Sequence, residues 1–331
     1  MLAGSGDLEI DVNGDLILKD AQAKNNINIK AENVKIQERA IAENNININS
    51  KDIVNTGNIS SNKNIEINSS NIENKGNISS KNINMSNKEK IVNTGKISAD
   101  NVTITSKDME NKELTALNAD ITLSGNLKNE SLKAVENLKI KGKNIENTGT
   151  IAANKKVKIE STNLSNKGNI SGNDIEIKSE NNILNEKNII SSSINISSKF
   201  LYNNGLIQAD VLTLKMTDYL ENNGSILGKT ATLNASQISN RGIIYGENYF
   251  TLVSSKYINE GSGIITGGHL FIDGVGDNAG DISGEKLVVS GEKIKNSGNI
   301  TGEDTLTITA DLNNSGTVQG KNLVNIIGNI D

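Results

Sequence analysis

The chain has 331 residues, a formal net charge of −5 and 35% hydrophobic residues, with 2% aromatics and no Pro, Cys or Trp. A mildly acidic balance gives no basis for a nucleic-acid partner, and a chain without cysteine has no disulfide framework. No apolar run approaches the roughly 18 residues a membrane helix needs, so a membrane-inserted protein is not expected.

Residues 1–50 are irregular. Leu8/Ile10, Leu16/Leu18, Ile27/Ile29 and Ile46/Ile48 read as strand pairs, and Gln37 stands one period before the first regular asparagine, Asn55. The opening Met1-Leu-Ala-Gly-Ser-Gly6 lacks the basic and apolar regions of a signal peptide. These residues are expected to form irregular coils of the same fold as 51–331, in a single elongated domain that is a fragment of a larger protein.

From residue 51 a motif takes over. Ile53-Val-Asn-Thr-Gly-Asn-Ile59 returns as Ile72-Glu-Asn-Lys-Gly-Asn-Ile78, Ile145-Glu-Asn-Thr-Gly-Thr-Ile151 and Ile294-Lys-Asn-Ser-Gly-Asn-Ile300. The asparagine recurs as Asn55, Asn74, Asn93, Asn111, Asn129, Asn147, Asn166, Asn185, Asn203, Asn222, Asn240, Asn259, Asn278, Asn296 and Asn314, always 18 or 19 residues apart. A short fixed period means one structural unit stacked on itself. It also argues against disorder, which the Asn-, Ser- and Lys-rich composition alone would suggest.

Within a coil the aliphatic residues come in pairs two apart, as Ile65/Ile67, Val157/Ile159 and Leu306/Ile308 do. That is the strand period, and no helical stripe survives across a coil. The expected fold is all-β: a right-handed parallel β-helix whose 18–19-residue coils each hold about three short strands. The mixture of 18 and 19 argues against left-handed hexapeptide helices, and the leucine spacing of leucine-rich repeats does not fit.

Glycine follows the asparagine by two at Gly57, Gly76, Gly95, Gly149, Gly168, Gly205, Gly224, Gly242, Gly261, Gly280, Gly298 and Gly316. An Asn-x-Gly corner is expected because Gly takes positive φ freely and Asn bonds local backbone. The asparagines, one per coil at one height, are expected to form a side-chain ladder. Glu113, Ser131 and Lys187 replace the Gly, so those corners should be looser or differently shaped. The extra residue of a 19-residue coil is easiest to place in an outward loop.

All eight aromatics fall between Phe200 and Phe271, and the Gly-rich segment Gly261-Ser-Gly-Ile-Ile-Thr-Gly-Gly-His269 lies in the same zone. Tyr245 and Tyr249 fall off the inward positions, Phe250 falls on one, and Phe271 is ambiguous because its coil shifts phase. Tyr245 and Tyr249 are the candidate ligand contacts. The competing reading is that the rings fill a wider section of the core.

The pattern in Asn55-Thr-Gly57-Asn-Ile59, Asn147-Thr-Gly149-Thr-Ile151-Ala-Ala and Asn203-Asn-Gly205-Leu-Ile207-Gln-Ala resembles the filamentous haemagglutinin repeat, over about 55–326. The resemblance implies a parallel β-helix shaft of a large exoprotein of a Gram-negative bacterium. Such exoproteins are exported by the two-partner route through an outer-membrane transporter. It therefore implies an extracellular or cell-surface location. The family uses the shaft for adhesins and for stalks that carry contact-dependent growth-inhibition toxins. The family's Pro-containing secretion domain is not in this Pro-free chain. The absence of cysteine suits a chain threaded unfolded through a pore, and equally a reducing compartment.

An adhesive shaft binding a host or bacterial cell-surface protein or glycan is the leading expectation, and a passive stalk for a toxin or receptor-binding tip is the alternative. A polysaccharide-active enzyme on the same fold is a third. No catalysis, cofactor or metal is expected: His269 is the single histidine, and Glu66, Glu73, Glu110 and Glu146 are scattered, solvent-facing positions. The glycine- and aspartate-rich calcium nonapeptide is also missing.

Overall fold

The computed structural model describes residues 1–3 and 6–331. Every regular element among them is a β-strand, and successive coils pair in parallel. The protein is a parallel β-solenoid of about 17 turns with coils of about 19 residues. It divides into two compact units, Met1–Thr162 and Asn163–Asp331.

In the first unit, the coil after Asn55 shows how alternation makes three faces. Strand Asn58–Ser61 is the first face. Strand Asn64–Asn74 supplies the second and third, turning at 69–71, where the register against the next coil shifts. Ile59, Ser61, Ile65, Ile67, Ser69, Ile72 and Asn74 are all buried, and the polar residues between them point out. Identical positions then stack: Ile27, Ile46, Ile65 and Ile83 form one column, and Ile29, Ile48, Ile67 and Met85 the next. Full burial of each aliphatic side chain contributes about 1.5–3 kcal/mol, realised only against the coils on either side.

The first fifty residues join these columns, with Leu8 paired to Ile27 and Ile10 to Ile29. Gln37 does not hold the asparagine position. Ile36 pairs with Asn55, and Leu18 pairs with Ile36, both buried. Counting back 18 residues missed this because that coil has 19. The ladder of the first unit thus starts on two aliphatic layers.

Asn55, Asn74, Asn93, Asn111, Asn129 and Asn147 each pass a side-chain Nδ2–H···Oδ1 bond to the next, at 2.7–3.0 Å. In the second unit the chain Asn166, Asn185, Asn203, Asn222, Asn240, Asn259, Asn278, Asn296 and Asn314 does the same at 2.7–2.9 Å. A buried amide needs such partners, because an unmet donor or acceptor costs about 1–3 kcal/mol.

The corner glycines are selected by close approach and not by positive φ. Among described glycines only Gly274 and Gly328 have φ in the left-handed range. A Cβ on Gly76, Gly149, Gly205 or Gly298 would instead lie 1.9–2.2 Å from a carbonyl oxygen of the coil below. At Glu113 and Ser131 the corner loses a residue: Asn93–Lys96 stands against Asn111–Glu113, and Leu114 pairs with Leu132. Lys187 keeps the full length but loosens the stack, with Asn188 N–H 3.2 Å from the Gly168 carbonyl against 2.8 Å for Leu206 N–H to Lys187. Length changes are not confined to one outward loop. Lys88–Glu89 adds a residue at another corner, and the register shift between Ala116 and Asn118 falls at a third.

Two aromatics belong to the core of the second unit. Phe250 lies against Gly246, where a Cβ would sit 2.4 Å from the Phe250 Cβ. Tyr257 takes an aliphatic column position, and the paired residue above it is Gly276, whose absent Cβ leaves room for the phenol. The Tyr257 hydroxyl has no hydrogen-bond partner, and burial pushes its pKa up. Replacing Tyr257 by Phe is therefore expected to raise stability by about 1–2 kcal/mol. Chemical denaturation of both proteins checks this, and a destabilised variant would mean that the hydroxyl has a partner.

Candidate functional site

On the outside of the second unit, Tyr245 and Tyr249 are exposed, as their phase requires, but they belong to different faces. Tyr245 is on the first face, in the column Ile190, Gln208, Leu227, Tyr245 and Thr266. A shallow groove of about 220 Å³ runs beside it, lined among others by Ile190, Leu227 and Tyr245. Tyr249 follows the corner at 246–248 and opens the second face.

There Tyr249 has two neighbours that its own coil does not reveal. His269 is its partner one coil on, with ring centroids 4.9 Å apart and planes at 73°. Phe271 lies two residues beyond His269 on the same side of the strand and pairs with Thr251. Tyr249 is 60% exposed and Phe271 39%, so the rings form a platform open to solvent. Lys286 follows His269 in the column and Val288 follows Phe271.

Phase explains why the sequence hid this cluster. The tight corner after Asn259 is closed by Gly263 and not by Gly261, with Asn259 Nδ2 donating to the Gly263 carbonyl at 3.1 Å. Gly261 and Ser262 are exposed extra residues. Ile243 therefore pairs with Ile264, 21 residues on, and later register shifts restore the spacing by Asn278. That excursion brings His269 beside Tyr249. The remaining rings, Phe200, Tyr202 and Tyr219, are half-buried on the third face, where Tyr202 and Tyr219 meet edge-on at 6.2 Å.

The ion pairs run mostly between coils. Lys30–Asp11, Arg39–Asp20 and Lys139–Asp120 are 2.7–3.1 Å contacts between half-exposed or exposed groups, worth about 0–1 kcal/mol each. The Arg39 guanidinium, helped by Gln22, holds the Asp20 carboxyl down at about 2. Among the described residues no group of three or more His, Cys, Asp or Glu is placed to hold a metal ion, and no helix is long and apolar enough to cross a membrane.

Compared with known protein families, curated proteins and solved structures, the chain matches none.

Proposed function

We propose that this chain is an adhesive β-helix of the bacterial cell surface. In this reading it is a shaft segment of the filamentous haemagglutinin type, exported through an outer-membrane transporter. Its second unit attaches to a host or bacterial cell-surface protein or glycan. The observation that supports this is the outward Tyr249–His269–Phe271 platform on a flat sheet face. Water-facing aromatic rings stabilise no core, whereas a rigid platform loses little entropy when it binds.

The test is binding of the purified chain to epithelial and bacterial cells, beside a variant carrying Tyr249→Ala and Phe271→Ala. Saturable binding that the double variant loses by about tenfold or more is expected. A folded protein that binds no cell type would overturn the adhesive reading in favour of a passive stalk for a toxin or receptor-binding tip.

A further inference from the structure

The second face of the upper coils of this unit carries exposed rings, threonines and few charges. From Val211 to Thr309 its outward residues, coil by coil, are Val211, Thr213 and Lys215; Thr230, Thr232 and Asn234; Tyr249, Thr251 and Val253. Then come His269, Phe271 and Asp273; Lys286, Val288 and Ser290; Thr305, Thr307 and Thr309. Asp273 is the single carboxylate among these positions, four residues along the strand from His269, about 13 Å at 3.3 Å per residue.

Lys286 is exposed directly above His269. Lys229 and Arg241 of the same unit are held by Asp210 and by Glu221 and Glu260. Lys286 has no such partner among the described residues. A chain of net charge −5 thus presents, beside its exposed rings, a cation with no anion of its own.

Resting on the adhesive reading, we propose that Tyr249, His269, Phe271 and Lys286 form a binding site for a carboxylated pyranose at the end of a glycan chain, a sugar of the sialic-acid type. A pyranose has an apolar C–H face and a polar rim. Tyr249 and Phe271 offer rings to the first, and the Thr230 and Thr251 hydroxyls, bordering Tyr249, meet the second. The carboxylate pairs with the ammonium of Lys286, whose backbone stands one rung, about 4.8 Å, above that of His269. The edge-on contact with His269 fixes the Tyr249 ring before the sugar arrives. Three rings across two coils cover about one sugar, which favours a chain end over a run of polymer.

The test titrates the whole chain with 3′-sialyllactose and with lactose, read by saturation-transfer NMR and by the fluorescence of a chain that has no Trp. Binding of 3′-sialyllactose at least about tenfold tighter than lactose is expected. Tyr249→Ala should lose both sugars, Lys286→Gln should bring sialyllactose down to the lactose level, and Tyr202→Ala on the third face should change neither. Equal binding of the two sugars, or no binding, overturns the proposal. So does tighter binding of hyaluronan oligosaccharides, which would assign the site to internal uronates. Cell binding that persists after sialidase treatment yet still needs Tyr249 would sink the sugar while leaving the adhesive reading standing. A folded chain that binds no untreated cell would remove both.

Discussion

Replacing Asn222 by Ala is expected to destabilise the second unit by about 4 kcal/mol, among the largest effects any single side chain here can have. The side chain is fully buried. Its Nδ2 donates to the Asn240 Oδ1 at 2.8 Å, the Ile243 carbonyl at 3.1 Å and the Gly224 carbonyl at 3.2 Å, and its Oδ1 accepts from Asn203 at 2.7 Å. Alanine leaves those groups facing a dry gap, at about 1–3 kcal/mol for each one left unmet. Asn314→Ala is the internal comparison. Asn314 is half-buried, its Oδ1 accepts from Asn296 at 2.7 Å and its amide donates to the Gly316 carbonyl alone, so a smaller loss of about 2 kcal/mol is expected.

Asn222→Asp keeps the shape and reverses the chemistry. A carboxylate would point at three acceptor oxygens in a dry site, which disfavours its charged form and raises its folded-state pKa. A raised folded pKa means that the folded state holds the proton longer than the unfolded chain does, so stability falls as pH rises above about 4. Unfolding of this variant at pH 4 and pH 7 should therefore show the larger loss at pH 7. A loss independent of pH would mean that the carboxylate reaches water.

How far the sequence carried this fold depends on how local each signal was. The inward pairs Ile65/Ile67, Val157/Ile159 and Leu306/Ile308 are all buried, because alternation within a strand is set by the backbone alone. The asparagine ladder was equally legible, since one polar residue recurring between buried aliphatics must find its like in the next coil. Glycine was read in the right place at most corners, though not after Asn259, where Gly263 and not Gly261 closes the turn, and for the wrong reason: its column is narrow, which only the stacked neighbour reveals. The platform was half legible. Tyr249 could be placed outside from its own phase, but His269 and Phe271 reach it through a two-residue excursion at Gly261–Ser262 and one later register shift, at Gly267–His269. Pairing between coils is a property of cumulative length, so one unnoticed residue moves every later side chain to the other side of its strand.

Gly224→Ala is the second large effect, about 3 kcal/mol, or roughly 10 °C in the unfolding midpoint of a unit this size. A Cβ there would sit 2.1 Å from the Gly205 carbonyl oxygen and 2.8 Å from the Asn204 carbonyl carbon. Both are backbone atoms, fixed by the bond from Ser225 N–H to the same Gly205 carbonyl at 2.8 Å, so no side chain can swing aside. Gly261→Ala is the matched control, because a Cβ at that exposed position meets nothing within 4 Å and should leave the midpoint unchanged. Lys187 shows the route by which a corner can yield, stretching its contact to the coil below to 3.2 Å. Amide hydrogen exchange separates the two cases: a strained Gly224→Ala corner should lose protection at Ser225 and in the coils on either side. If Gly224→Ala melts and exchanges like the parent, the corner relaxes as it does at Lys187, and close approach is not what places glycine in the column.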